Sequence, residues 1–397
     1  MLLLLLVLLL LGVPLAAYEL HVAPMVNYTN RHFRWLLRLL SPDAVLWTEM
    51  NKTGDLLSAA DSKKQAHLLS RGEERGKCVL QLGGDDAEQL RLCSKLAASF
   101  HYDELNLNLG CPSIETNARF GANLMRDPRH VAYLLDSMAD CGGGLPVSVK
   151  CRIGTHDTYK DVGEDRYETL HNFVHQVTLS GAVKRVTVHA RSAVLQGLDP
   201  SQNRNVPPLR YDFVEAVARD FPGVHVVVNG GIKTINSTML SQSSLLSGVM
   251  VGRALLRRPL DLLLADPVHA NNRDAFAASA ERAVSAYSRY ASSELSRGTH
   301  NIQEVLLPLV LVFRSLAEEE EEKSPPRLLK FVMQSAIPVL MQATASAAVL
   351  ASLEAASREL DHDDDGDRVD GAASKVSKAT KTLLGKKVLS KLQQNVA

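Results

Sequence analysis

Eight short apolar segments recur along the first two thirds of the chain, and a stretch with helical spacing follows each of them. Several segments are rich in Val and Leu without alternating polar residues, which is typical of parallel strands covered on both faces. Eight strand–helix units in succession match the order and size of a (β/α)8 TIM barrel, an α/β fold of roughly 250 residues. The predicted strands are 20–25, 45–50, 79–83, 105–110, 146–151, 185–189, 224–229 and 248–252.

Two of the intervening segments show the helical spacing clearly. After Asp86, which can cap a helix, Leu90, Cys93 and Ala97 recur at intervals of three and four residues. This pattern predicts a helix that buries one face, with Cys93 packed in the outer layer of the barrel. A second helix is predicted after residue 127, with a buried stripe of Val131, Leu134, Leu135 and Met138.

The chain divides into four predicted parts. Residues 18–265 form the barrel, residues 266–360 form a C-terminal all-helical domain, and residues 361–397 form a charged, flexible tail. Residues 1–17 are apolar and carry no charge. They are similar to a signal peptide or organelle leader without its usual initial Lys or Arg, and an extra apolar segment beside the first strand is the alternative. The location of the protein, cytoplasmic or organellar, therefore stays open.

Charge and cysteine content limit the classes of function only weakly. Lys+Arg and Asp+Glu both number 44, so the formal net charge is +0. This balance argues neither for nor against a nucleic-acid partner, because a basic face can exist within a neutral total. The five cysteines are odd in number and include no CxxC motif, so we expect reduced thiols and predict no metal site.

Glycines and an arginine follow the last two predicted strands. Gly230 and Gly231 come after the seventh strand, and Gly252 and Arg253 come after the eighth. In (β/α)8 barrels a phosphate group commonly binds between these two loops, where backbone N–H groups contact it. The two glycine-rich ends together therefore predict a phosphate site, to which the arginine adds a positive charge.

Amide and cationic side chains at the ends of earlier strands suit a flavin. Gln81 offers a donor and an acceptor for the pyrimidine edge of the ring, and Lys150 offers a cation that stabilises the reduced ring. Lys150 alone would favour a salt bridge at the end of the barrel. In combination with Gln81, His189 and the predicted phosphate site, it favours a bound flavin.

Cys111 lies in the loop after the fourth predicted strand, between Gly110 and Pro112. An unperturbed thiol has a pKa of about 8.5 and is therefore mostly protonated near neutral pH, so it can act as an acid. From this residue alone, an inert loop cysteine is the better interpretation.

Seven motifs occur in order between residues 20 and 264. They are VAPM at 22–25, NLNLGCPS at 106–113, RFGANLM at 119–125, VKCRIG at 149–154, VHAR at 188–191, NRNVPPLRYD at 203–212 and NGGIKT at 229–234. Together they resemble the tRNA-dihydrouridine synthases, in particular the bacterial A-type subfamily and its algal and plant relatives.

The resemblance implies an enzyme that binds FMN, is reduced by NADPH and reduces a uridine of tRNA, in this subfamily U20 or U20a of the D-loop. It implies that Cys111 donates a proton to C5 of the uracil after hydride has been delivered to C6. It also implies that Asn108, Arg191 and Arg204 hold the uridine or the RNA backbone. The positions that match FMN contacts of the family are Pro24, Met25, Gln81, Lys150, His189, Asn229, Gly231, Gly252 and Arg253.

The C-terminal part departs from the pattern of the family. A-type relatives end their helical, tRNA-binding domain in a Gly-Pro-Gly stretch followed by Trp and arginines, whereas residues 301–334 contain a run of Glu, no Trp, and only Arg314 and Arg327. Ser201 stands where relatives often have a lysine. Fewer cations mean fewer phosphate contacts and weaker tRNA binding, for which the lysines of the tail could compensate.

Two other classes of function remain open at this stage. One is a different FMN-dependent barrel enzyme that acts on a small molecule, which the NLNLGCPS and NRNVPPLRYD motifs disfavour. The other is a tRNA-binding protein without catalytic activity, which the intact set of predicted catalytic positions disfavours. Oligomeric state and the choice among tRNAs cannot be predicted from these patterns.

Overall fold

The computed structural model describes residues 18–58, 62–112, 120–236, 245–298 and 301–318, together with isolated helical residues between 328 and 339. The predicted leader at 1–17, the tail at 361–397 and most of the helical segment after 318 lie outside the described residues.

Eight parallel strands form a closed barrel, which confirms the predicted fold. Each strand pairs in parallel with its neighbours, and the barrel closes between the first and second strands. At the closure the backbone N–H of Val22 donates to the Val45 carbonyl (2.9 Å), and that of Val45 donates to the Leu20 carbonyl (2.8 Å). The strands are β1 Glu19–Val22, β2 Leu46–Lys52, β3 Cys78–Gly83, β4 Glu104–Leu109, β5 Val147–Arg152, β6 Val183–His189, β7 His225–Asn229 and β8 Gly248–Val251.

Alternate residues of each strand face the barrel interior and the surrounding helices. The outward residues join the large core between strands and helices. A smaller set of inward residues forms a separate apolar layer, and its largest member, Trp47, is completely buried. That layer consists of Ala23, Val45, Trp47, Val79, Val227 and Met250.

Helices surround the barrel where the apolar spacing predicts them. Asp86 caps its helix by accepting from the backbone N–H of Gln89, and Cys93 is buried in the outer layer as predicted. The predicted stripe of the second helix is also buried. The helices before residue 260 are α1 Arg31–Leu40, α2 Thr53–Ser58, α3 Ser62–Leu69, α4 Ala87–Ser99, α5 Pro128–Cys141, α6 Tyr167–Thr178, α7 Gln202–Asn205, α8 Tyr211–Asp220 and α9 Arg253–Arg257. Short 3-10 helices cover Gly121–Arg126, Tyr159–Asp161 and Pro259–Ala265.

A buried ionic cluster closes the amino-terminal end of the barrel, opposite the predicted site. Arg185 forms ion pairs with Glu104 and with Glu19, the second at 2.6 Å. Glu19 also lies 3.3 Å from Nε2 of His21, and the indole N–H of Trp47 donates to Nδ1 of His21 at 3.2 Å. Arg185 is therefore part of the framework at the far end of the barrel.

Three helices follow the barrel, α10 Pro267–Asn271, α11 Arg273–Ser296 and α12 Ile302–Glu318. Helix α11 packs on α1 of the barrel, where the hydroxyl of Tyr290 lies 2.8 Å from Nδ1 of His32. The buried hydroxyl of Tyr287 donates to the Val305 carbonyl at 2.8 Å and joins α11 to α12. None of the described helices is long and apolar enough to cross a membrane.

Candidate active site

The carboxyl ends of the eight strands bring the predicted site residues to one mouth of the barrel. Parallel strands place all of these ends on the same side, where barrel enzymes carry their chemistry. The ends of β1 and β8 are adjacent, because a Cβ atom at Gly252 would lie 3.6 Å from the sulfur of Met25. Pro24 and Met25 are half-buried there.

A chain of amide side chains crosses the interior beneath this mouth. The amide N–H of Asn108 donates to Oε1 of Gln81 at 2.8 Å, and Nε2 of Gln81 donates to Oδ1 of Asn106 at 2.9 Å. Asn106 in turn donates to the hydroxyl of Ser148 at 2.8 Å. Gln81 and Asn106 are buried, so this chain fixes the orientation of Gln81 and of Asn108.

The loop that carries Cys111 is held on two sides. Oδ1 of Asn108 accepts from the backbone N–H groups of Gly110 (3.2 Å) and Cys111 (3.1 Å). On the other side, the backbone N–H of Ala122 donates to the Cys111 carbonyl at 2.8 Å. Gly121 has a φ of 57°, and a Cβ atom there would overlap the same carbonyl oxygen, so the close approach requires glycine.

The thiol of Cys111 is half-buried at the mouth and keeps its proton near neutral pH. Burial raises the pKa of Cys111, and the nearby cations, Arg152 first, only partly oppose this rise. A protonated thiol at the mouth can act as an acid. The five cysteines all lie in the described ranges and form no disulfide.

Lys150 and His189 lie on neighbouring strands, and their environments set their charges. Burial and the charge of Arg152 lower the pKa of Lys150 to about 8, so it remains a cation near neutrality. Burial and the surrounding cations hold the pKa of His189 well below its usual range, so its imidazole is neutral. The buried Nδ1 of His189 has no hydrogen-bond partner among the described residues, so it is available to a ligand.

The ends of β7 and β8 lie next to each other at the mouth. Gly230 and Gly231 have φ values of 106° and 70°, which glycine adopts readily. The hydroxyl of Tyr211 donates to the Gly230 carbonyl at 2.6 Å, and Nδ2 of Asn229 donates to the Met250 carbonyl at 2.8 Å. These contacts fix the two strand ends side by side.

The predicted cations of the rim are tied to the loop after β6. Arg253 donates to Oδ1 of Asn205 at 2.7 Å, and Arg191 donates to the Pro207 carbonyl. Arg204 belongs to the same loop and is half-exposed. The charges with the largest effect on the pKa values of the site's basic groups are those of the other basic groups and of nearby thiols. This concentration of positive charge favours an anionic ligand at the mouth.

Three residues of this site were not predicted from the sequence as site residues, namely Asn106, Arg152 and Asn203. Asn106 and Arg152 each stand two positions from a predicted site residue on the same strand, Asn108 and Lys150, and therefore face the same side. This spacing of two residues was the feature of the sequence that could have identified Asn106 and Arg152. Nothing in the local pattern marks Asn203, whose side chain bonds to residues of its own loop.

Comparison with known proteins identifies the family of this fold and site. The sequence model of the dihydrouridine synthase (Dus) family matches residues 21–306. The chain belongs to the dihydrouridine synthase family. Enzymes of this family depend on a flavin and reduce uridine in tRNA, so the chain is an oxidoreductase that acts on tRNA.

Curated relatives include two tRNA-dihydrouridine(20/20a) synthases that the chain matches over most of their length. The protein of Escherichia coli (strain K12) is 40% identical over 285 residues, which cover 70% of this chain and 77% of the relative. The protein of Shewanella oneidensis is 39% identical over 278 residues, which cover 70% of this chain and 78% of the relative.

The side chains at the mouth fit the flavin of the family. The unpaired Nδ1 of His189 and the ammonium group of Lys150 can both contact a polar ring. Gln81 has one amide hydrogen left after its bond to Asn106. The cationic rim suits a phosphate group.

Proposed function

We propose that this enzyme reduces U20 or U20a in the D-loop of tRNA to dihydrouridine, with FMN as cofactor and NADPH as reductant. The observation that carries the proposal is the protonated thiol of Cys111, held at the mouth of a cationic pocket that contains Lys150 and His189. The names of the curated relatives support the choice of uridines.

When bound in its reduced form, FMN would supply the hydride for C6 of the uracil. The thiol of Cys111 then donates its proton to C5, so that one hydride and one proton saturate the C5–C6 bond. Asn108 fixes the loop that presents this thiol. Proton donation by a positioned group accelerates such steps by roughly 100-fold to 10,000-fold.

Lys150, His189 and Gln81 would hold the polar edge of the flavin. Lys150 is a cation, which favours the negatively charged form of a reduced ring. His189 is neutral, so it can accept or donate one hydrogen bond without adding charge. The glycines after β7 and β8, with Arg253, would hold the phosphate group of the cofactor.

Arg191 and Arg204 would contact the RNA at the rim of the mouth. A flipped uridine must reach the thiol inside the mouth, and its flanking phosphates then lie near the rim, where cations stabilise them. The motifs contain no separate dinucleotide-binding sequence, which favours NADPH that binds transiently at the flavin and leaves before tRNA enters.

The decisive experiment follows reoxidation of the reduced enzyme. The purified protein is loaded with FMN, reduced anaerobically with NADPH and mixed with tRNA transcribed without modifications. We expect rapid reoxidation and one or two dihydrouridines per tRNA, and no product from a transcript in which U20 and U20a are replaced by cytidine. Reoxidation by small enones but not by tRNA would refute the proposal in favour of a small-molecule reductase.

A further inference from the structure

Arg152 is buried at the barrel mouth and joins two loops at three points. Its side chain is 4% exposed. Nε donates to the Gly110 carbonyl at 3.0 Å, and Nη1 donates to the carbonyls of Asn203 (2.8 Å) and Ser192 (3.3 Å). These partners lie in the loop after β4 and at two points of the long connection after β6.

Each of the three carbonyl groups is adjacent in sequence to a residue of the site. Gly110 precedes Cys111, Ser192 follows Arg191, and Asn203 precedes Arg204. A displacement of any one carbonyl group would therefore move the neighbouring side chain. Arg152 is the one described side chain that bonds to all three loop positions at once.

The loop segment around Asn203 is anchored from its other side. Oδ1 of Asn203 accepts from the backbone N–H of Val194 at 2.7 Å, and its Nδ2 donates to the Val194 carbonyl at 2.9 Å. Asn203 is completely buried. The carbonyl group that Arg152 contacts therefore belongs to a fixed segment, and the guanidinium group transmits that fixed position to Gly110.

The geometry calls for a guanidinium group in particular. A guanidinium group has five N–H donors in one rigid plane, whereas an ammonium group places its three donors on a single atom at the end of a flexible chain. The donors of Arg152 point along two edges, towards Gly110 on one and towards Asn203 and Ser192 on the other. A lysine could reach one edge at a time.

We propose that Arg152 is a positioning residue of the reduction, which fixes Cys111 relative to Arg191 and Arg204. Its burial and its three backbone partners argue against a direct contact with substrate. The inference rests on the proposed function, since it assigns the residue to proton donation and RNA binding rather than to flavin reduction.

The test compares Arg152→Lys with the wild-type enzyme in the two halves of the reaction. Lysine keeps the positive charge and loses the planar fork. We expect FMN content and the rate of flavin reduction by NADPH to stay within about twofold, while the reoxidation rate at saturating tRNA falls about tenfold or more. Equal reoxidation rates would overturn the proposal, and so would a loss of FMN that slows both halves alike.

A second measurement tests the positioning role of Arg152 without tRNA. The rate at which iodoacetamide alkylates Cys111 at pH 7 is followed by mass spectrometry of the peptide that contains it. We expect alkylation several times faster in Arg152→Lys, which keeps a positive charge near the thiol, because release of Gly110 exposes the half-buried thiol. An unchanged rate would contradict the inference. This measurement stays valid even if tRNA fails to reoxidise the wild-type enzyme, which would refute only the proposed function.

Arg185→Lys is the matched control. Arg185 is a largely buried arginine of the same barrel, but it pairs with Glu19 and Glu104 at the opposite end. We expect this variant to lower the melting temperature without changing the alkylation of Cys111 or the ratio of the two half-reaction rates. If it accelerates alkylation as much as Arg152→Lys does, the effect is a general loosening of the barrel and the specific role of Arg152 is excluded.

Discussion

The side chain of Asn108 holds the backbone of Cys111 in place. Its Oδ1 accepts the N–H of Cys111 at 3.1 Å, and its Nδ2 donates to Gln81, which belongs to a buried amide chain. The resemblance to the family assigns Asn108 to the uridine. The structure adds a support for the proposed proton donor, since the amide links the loop to the barrel interior.

Asn108→Ala removes this support and tests it. We expect dihydrouridine formation to fall by about 10-fold to 100-fold, because a misplaced acid donates its proton poorly. FMN absorbance and NADPH oxidation should change much less, since Lys150 and His189 are untouched and Gln81 keeps its bond to Asn106. Dihydrouridine is measured by mass spectrometry of digested tRNA, and a variant that forms product at the wild-type rate would refute the supporting role.

Cys111→Ala tests the acid itself, with Cys141→Ala as its control. Both cysteines are half-exposed, but Cys141 ends helix α5 on the outside of the barrel. We expect the Cys111 variant to keep its flavin and to lose roughly 100-fold or more in dihydrouridine formation. The Cys141 variant should match the wild type, and full activity of Cys111→Ala would overturn the mechanism.

Gly121→Ala should displace the Cys111 loop. The added Cβ atom would overlap the Cys111 carbonyl oxygen, and the φ of 57° is unfavourable for alanine. Gly144→Ala separates the overlap from the backbone strain, because Gly144 has a φ of 83° and an added Cβ atom there would meet no other atom within 4 Å. Both variants should lose about 1–2 kcal/mol in unfolding free energy from backbone strain. Only Gly121→Ala should also lose dihydrouridine formation, and equal activities would show that the overlap is harmless.

Flavin affinity should depend on pH through Lys150. Burial lowers the pKa of Lys150 to about 8, so its charge is present below that pH and is lost above it. Because the cation attracts an electron-rich or anionic ligand, we expect FMN affinity to fall as pH rises from 7 to 9. An arginine keeps its charge between pH 7 and 9, so the FMN affinity of the Lys150→Arg variant should not decline in this range. FMN fluorescence quenching measures the affinity, and an equally steep decline in Lys150→Arg would exclude Lys150 as its source.

The sequence alone determined the barrel and the location of its chemistry. All eight predicted strands are observed, and the stripe from Val131 to Met138 is buried as predicted. Apolar runs in the strands and the 3.6-residue repeat in the helices are local properties, so they are visible along the chain without knowledge of its partners. The position of Cys111 at the mouth followed from the same counting, because the carboxyl ends of parallel strands share one side.

Only the tertiary structure decided which polar groups bond to one another. Gln81 and Asn106 are 25 residues apart, and Arg152 and Asn203 are 51 residues apart. Their contact depends on the register between neighbouring strands and on the path of the loops that follow. These are set by packing across the whole barrel, and no local pattern encodes them. For this reason the family resemblance could single out Cys111 as the proposed donor, while the contacts that hold it in place could not be predicted.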